Sequence, residues 1–251
     1  MLKVLIDADM FAFRACSACE REVDWGNNIW TLHVDFEEAR NKFLDLVEEA
    51  IEKGLNKMKY SGGFNVICCF SSDINFRKKV LPTYKANREG KRKPVAYHAL
   101  VKWIEKEFKT KKIDGLEADD CLGILATRDT FPAIIISGDK DMKCIPGYHY
   151  DFIRDEFSEI TPEEAKYHFY MQTLMGDITD GYSGCPKVGK VTAQKILDKD
   201  CSWKAVVKAF EDHGLSEEIA LQQARVAKIL LASDWNNEAK KVILWKPTKD
   251  N

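Results

Sequence analysis

Ala133-Ile134-Ile135-Ile136-Ser137 constrains the fold more than any other stretch of this chain. Three consecutive isoleucines favour the pleated backbone, because a helix crowds the χ1 of β-branched side chains. The run shows no polar alternation, so it reads as a strand covered on both faces, as in a parallel sheet. It ends in Gly138-Asp139-Lys140-Asp141, where acids at i and i+2 can point the same way. Lys3-Val4-Leu5-Ile6-Asp7-Ala8-Asp9 repeats the form, an apolar run ending in acid, although Asp7 would serve equally as an N-cap of the helix that follows. Phe64 to Phe70 is a third such run and leads into Ser71-Ser72-Asp73. In open α/β sheets, sites gather at the carboxyl ends of strands.

The intervening segments supply helices. Phe36, Ala39, Phe43, Leu46, Val47, Ala50 and Ile51 fall on one face of a helix over 35–54. Pro94 to Phe108 starts with a proline and places Tyr97, Leu100, Val101 and Ile104 together. Thr161-Pro162-Glu163-Glu164 opens a helix that runs to about Met175. Further helices are expected over 203–210 and 216–232, with short strands over 148–154 and 241–245. Trp25 and Trp30 lie in an irregular loop. No repeat or low-complexity segment divides the 251 residues, so a linker-separated second domain is not expected.

Gly115-Leu116-Glu117-Ala118-Asp119-Asp120 opens a helix with three acids in four residues. Acids suit a helix start, so a solvated acidic first turn explains some of them. Glu117 and Asp120 at i and i+3 crowd like charge, which raises a pKa or invites a cation. Asp177 and Asp180 repeat that spacing ahead of Gly181-Tyr182-Ser183-Gly184-Cys185-Pro186-Lys187-Val188-Gly189-Lys190. This glycine-rich stretch is a compact turn between helices, or an anchor for a phosphate backbone at the helix starting near Lys190.

From Arg77 to Lys93 stand eight basic residues and one acid, Glu89. The run is a solvated face, or it steers a phosphate backbone, with Tyr84 and Tyr97 offering rings for base stacking. The net charge of −2 then conceals a division. Gathering the nine acids Asp7, Asp73, Glu117, Asp119, Asp120, Asp139, Asp141, Asp177 and Asp180 into one neutralised hole leaves the remainder at +7. No histidine or cysteine accompanies them, and an oxygen-only pocket selects Mg²⁺ or Mn²⁺ over zinc. Two such ions support hydrolysis of a phosphodiester. Several of the eight cysteines sit in apolar patterns that suit reduced thiols in a cytosolic protein, and no signal peptide or membrane-length apolar run is evident.

The motifs LIDAD, SSDINFRKKVLPTYKANR, LEADD, ISGDKD and LMGDITDGYSGCPKVGKVTAQKIL, in this order, resemble the flap-endonuclease superfamily of 5′ nucleases, nearest the 5′→3′ exonucleases of T-odd coliphages. The resemblance implies a PIN-like α/β core over 1–160, its mostly parallel sheet flanked by helices and topped by a helical arch. Residues 161–251 would form a helical clamp of helix-hairpin-helix type, packed with the core as one globule. Asp7, Asp73, Glu117 and Asp119 would hold one metal and Asp139, Asp141 and Asp177 a second, with Asp120 and Asp180 supporting through water. Tyr84, Lys85 and Arg88 would act at the scissile phosphate. Arg77, Lys78, Lys91, Arg92, Lys93, Ser183, Gly184, Lys187, Gly189 and Lys190 would contact DNA, and the turn would seat a K⁺ ion. The implied activity is 5′→3′ exonuclease action on duplex or nicked DNA and on RNA–DNA hybrids, by a monomer in the host cytoplasm. A flap endonuclease and a DNA-binding accessory protein are the alternatives.

Overall fold

The computed structural model describes residues 1–128 and 132–247. Its centre is a six-stranded sheet of β1 (Leu2–Asp7), β4 (Phe64–Phe70), β5 (Thr110–Lys112), β6 (Ala133–Ser137), β7 (Gly147–Asp151) and β8 (Glu156–Ile160), in the order β5-β4-β1-β6-β7-β8. All neighbours are parallel except the hairpin β7–β8. The isoleucines of β6 are buried, as an inner parallel strand requires. A separate exposed hairpin, β2 (Arg21–Asp24) and β3 (Trp30–His33), replaces the expected irregular loop around the tryptophans.

Helices cover both faces. On one lie α1 (Ala8–Cys19), α2 (Phe36–Met58) and α4 (Tyr97–Glu107), packed on Val4, Ile6, Cys68, Ile134 and Ile136. On the other lie α5 (Ala118–Thr127), α6 (Pro162–Met175), α7 (Lys190–Lys199), α8 (Trp203–Glu211) and α9 (Glu217–Ala227). Their core runs without a break from Leu5 and Ile135 of the sheet to Phe210 and Leu230. A short pair, Trp235–Asn236 with Lys241–Val242, ends the described chain. All eight cysteines are free thiols, and no helix among the described residues is long and apolar enough to cross a membrane.

Among the described residues the expected helical arch does not form. Between β4 and α4 only α3 (Arg77–Val80) and a 3₁₀ turn at Ala86–Arg88 are helical. Pro82, Gly90 (φ 74°) and Pro94 interrupt any longer helix, and residues 89–96 form an open strap.

Between α6 and α7 the chain makes the compact turn expected from its glycines. Gly176 (φ 68°) and Gly184 (φ 63°) meet backbone to backbone. A Cβ on Gly184 would fall 2.3 Å from the Gly176 nitrogen, so no side chain fits there.

Candidate active site

The carboxyl ends of β1 and β6, the start of α5 and the turn after α6 open onto one cavity of about 820 Å³. Asp7 ends β1 and caps α1, accepting the Met10 N–H, while the Ser137 hydroxyl donates to its other oxygen at 2.8 Å. It is 4% exposed, and burial together with Asp9 and Asp139 pushes its carboxyl up to about 7. Asp139 caps the 3₁₀ turn after β6 and accepts the Asp141 N–H at 2.8 Å. Asp141 takes a hydrogen bond from the Gln172 amide, and burial with the Asp139 charge raises it to about 7. Asp119, in the first turn of α5, is raised by burial and by Asp7, Asp139 and Glu117 around it.

These four carboxyls have no lysine or arginine within ion-pair distance among the described residues. Three more of the expected ligands, Glu117, Asp177 and Asp180, do. Glu117 caps α5 and meets Lys85, the Tyr84 hydroxyl at 2.9 Å and Arg77 at 3.3 Å. Its burial opposes ionisation, but Arg77 and Lys85 prevail and hold it at about 2. Asp180 meets Arg88, and Lys85 at 3.5 Å, yet burial outweighs both and raises it. Asp177 accepts from the Thr179 amide and hydroxyl at 2.7 and 2.5 Å, which with Lys140 holds it low against its burial.

Two expected ligands lie elsewhere. Asp73 is 97% exposed, with Lys112 at 3.9 Å as its ion partner. Ser71 and Ser72 explain this: the Ser71 hydroxyl takes the Ala118 N–H at 3.0 Å and the Ser72 N–H donates to Leu116, turning the chain out before Asp73. Asp120 is fully buried and bidentate to Arg77 at 2.7 and 2.8 Å, so its oxygens are committed. Arg77 for its part is 2% exposed and donates to the Val226 and Lys228 carbonyls, so it is a structural cation, not a DNA contact. Gly184 is buried too, its N–H donating to Gln223.

Asp9 enters the site instead, accepting from the Ser71 amide and the Tyr97 hydroxyl, both at 2.7 Å. Its spacing two residues beyond Asp7 was the available signal. Lys91, Arg92 and Lys93 are exposed on the strap beside the cavity, Arg92 paired with Glu20 and Lys93 over the Tyr97 ring. Lys78 is exposed and pairs with Glu89. Ser183, Lys187, Gly189 and Lys190 are exposed, and Gly189 caps α7 with no side chain on its free N–H groups.

Among the described residues, no three of His, Cys, Asp or Glu are already arranged to hold a metal ion. The donors nevertheless fit one. All are carboxylates, and four share the cavity without a lysine or arginine within ion-pair distance among the described residues, so a hard divalent ion would relieve the burial and repulsion that lift Asp7, Asp119 and Asp141.

A mostly parallel sheet brings acids from several element ends beneath a lysine and an arginine, an arrangement suited to cleaving a phosphodiester. The family model for the N-terminal, resolvase-like domain of 5′-3′ exonucleases matches residues 3–170, and the chain belongs to that family. It is a 5′→3′ exonuclease. The exonuclease of Escherichia phage T7 is 29% identical over 97% of this chain and 93% of its own length. The exodeoxyribonuclease of Enterobacteria phage T3 is likewise 29% identical, over 97% and 92%. In fold, the chain is similar to a bacteriophage T5 flap endonuclease solved with DNA and metal ions, at TM-score 0.65 and 15% identity over 93% of this chain and 90% of that one.

Proposed function

We propose that the chain hydrolyses duplex DNA from 5′ ends or nicks, and the RNA of RNA–DNA hybrids, using a pair of Mg²⁺ or Mn²⁺ ions. The observation that carries this is the group Asp7, Asp119, Asp139 and Asp141, carboxyls facing one cavity with no lysine or arginine within ion-pair distance among the described residues, three of which, Asp7, Asp119 and Asp141, are pushed up by burial and by their acidic neighbours. Those four would hold the ions, joined by Glu117, Asp177 and Asp180. Bound there, a divalent pair activates water and stabilises the departing oxygen of an in-line displacement.

The protein's own groups do the rest. Lys85 and Arg88 take the scissile phosphate after leaving Glu117 and Asp180. Tyr84, buried against Glu117, keeps its proton and orients that carboxylate. Ser137 and Gln172 fix Asp7 and Asp141. Lys91, Arg92 and Lys93 on the strap attract the backbone, while the N-terminus of α7 with Lys187, Lys190 and Ser183 anchors the duplex behind the cut. A K⁺ ion at the 183–189 turn belongs to the same reading, and its removal should weaken duplex binding. The protein works as a monomer, and its reduced thiols suit the host cytoplasm.

The test is digestion of 5′-labelled nicked duplex with Mg²⁺ or EDTA, with the products sized. Short products with Mg²⁺ alone support the exonuclease; a single excised flap on a flapped substrate supports the flap endonuclease. Asp139→Asn with Asp141→Asn should abolish cleavage and keep DNA binding. Retained Mg²⁺-dependent turnover in that variant refutes the assignment.

A further inference from the structure

On its β5 side the central sheet is incomplete. β5 pairs only with Cys68, Cys69 and Phe70, so the first half of β4 has no neighbour on that side. The direction of its free groups follows from the hydrogen bonds. The Cys68 N–H donates outward to Lys109, while the Gly63 carbonyl accepts from Leu2 on the β1 side. Alternation along a strand therefore turns the N–H and C=O of Phe64 and Val66 outward. Neither N–H meets a hydrogen-bond acceptor among the described residues. Edge strands are ordinarily blunted by a charge, a proline or a bulge, and Phe64-Asn65-Val66 has none of these.

Beside this edge lies an apolar groove of about 610 Å³, walled by Leu44, Val47, Ile51 and Leu55 of α2 and closed by Tyr60 and Phe108. Phe64, 40% exposed, and Val66 form its strand side. The charged residues lining it are Glu48 and Glu52, neither with an ion partner among the described residues, and no cation lines it.

We propose that this edge and groove dock an extended basic peptide segment of a partner protein, added as a strand beside β4. Its backbone would bond Phe64 and Val66, apolar side chains on one face would enter the groove, and lysines or arginines flanking them on that same face would meet Glu48 and Glu52. The cavity of the active site opens at the carboxyl ends of the strands, and this groove lies at the amino end of β4. Docking would thus tether the enzyme without closing its site, and the proposal does not depend on the nuclease reading.

The probe is a fluorescein-labelled nine-residue peptide with lysine at positions 1 and 9, valine at 3, 5 and 7 and threonine between them, so that lysines and valines share one face, titrated by anisotropy against the full chain, with a peptide carrying glutamate in place of both lysines as its counterpart. The lysine peptide should bind at least about tenfold more tightly, a difference the groove's two unpaired acids can supply. Glu48→Lys with Glu52→Lys, both exposed positions, should reverse that preference and leave nicked-DNA digestion unchanged. Hydrogen exchange at the Phe64 and Val66 amides should slow when the lysine peptide is present. No binding up to about 1 mM, equal binding after the charge reversal, or unprotected amides would each overturn the proposal. So would concentration-dependent dimerisation that the double variant abolishes, which would make a second copy of the chain the occupant.

Discussion

Arg77 and Asp120 give the sharpest test of the architecture, because the sequence places both among functional residues and the structure makes both internal. Asp120→Ala would leave a guanidinium 2% exposed without its bidentate partner at 2.7 and 2.8 Å, and would orphan the Leu230 and Glu117 amides that Asp120 also accepts. Removing one member of such a pair costs about 3–5 kcal/mol. That is a fifth or more of the stability of a typical domain, and about 6–20 °C in Tm for a chain of this size. Arg77→Met should cost a similar amount, since it strands the Asp120 charge and the Val226 and Lys228 carbonyls. Arg77→Met with Asp120→Ala removes both charges, so the double variant should lose about 2–3 kcal/mol less than the sum of the singles. Urea unfolding followed by tryptophan fluorescence measures all four corners of the cycle. The salt dependence of DNA binding adds an independent readout, because each lost phosphate contact lowers the log–log slope by about 0.9 and Arg77→Met should not change it. Single variants within about 1 kcal/mol of the parent, or strictly additive losses, would refute the buried-pair account.

Asp73→Ala should keep cleavage within about twofold of the parent, since an exposed pair at 3.9 Å contributes little; a loss comparable to that of Asp139→Asn in single-turnover assays would restore Asp73 to the site. Gly184→Ala should destabilise by roughly 2 kcal/mol or more and weaken duplex binding, because the left-handed φ and the 2.3 Å approach to Gly176 leave no room; thermal melts and a binding titration check both. Asp7 and Asp141, held near 7, bind protons in the fold at a pH where unfolded carboxyls have lost them, so their contribution to stability is full below about pH 4 and is lost as pH rises through 7. Mg²⁺ should therefore raise Tm more at pH 8 than at pH 6, and the reverse order in melts with Mg²⁺ against EDTA would contradict the placement of the ions.

The inner strands were legible because a strand buried on both faces has to be apolar throughout, and β4 and β6 lie where their runs predict. The edges were not. β5 is Thr110-Lys111-Lys112, too short and polar to show a period, and β8 places Phe157 among polar residues at the margin of the sheet. The β2–β3 hairpin buries almost nothing; a tight turn with positive φ at Gly26, Asn27 and Asn28 and a bond from the Trp25 indole to Thr31 hold it, so hydrophobic pattern carried no trace of it. In the site, acids directly ending strands were readable, whereas Asp73 depended on which way two serines turned the chain. The fate of Arg77 depended on partners 43 and about 150 residues away, which no local pattern encodes.

Charge shows the same limit with a consequence for how the site works. The sequence suggested an acidic hole beneath a separate basic surface. The cavity is instead lined by eight acids and eight bases, with Lys85 and Arg88 already resting on Glu117 and Asp180. A substrate phosphate that draws the Lys85 ammonium toward itself weakens its hold on Glu117 and leaves Arg77, at 3.3 Å, as the remaining cation on that carboxylate. That carboxylate would then share the cavity with Asp7 and Asp119, whose carboxyls burial and the neighbouring acids already push up. Substrate and compensating cation must therefore arrive as coupled events. The four acids left unpaired are where the compensation has to enter.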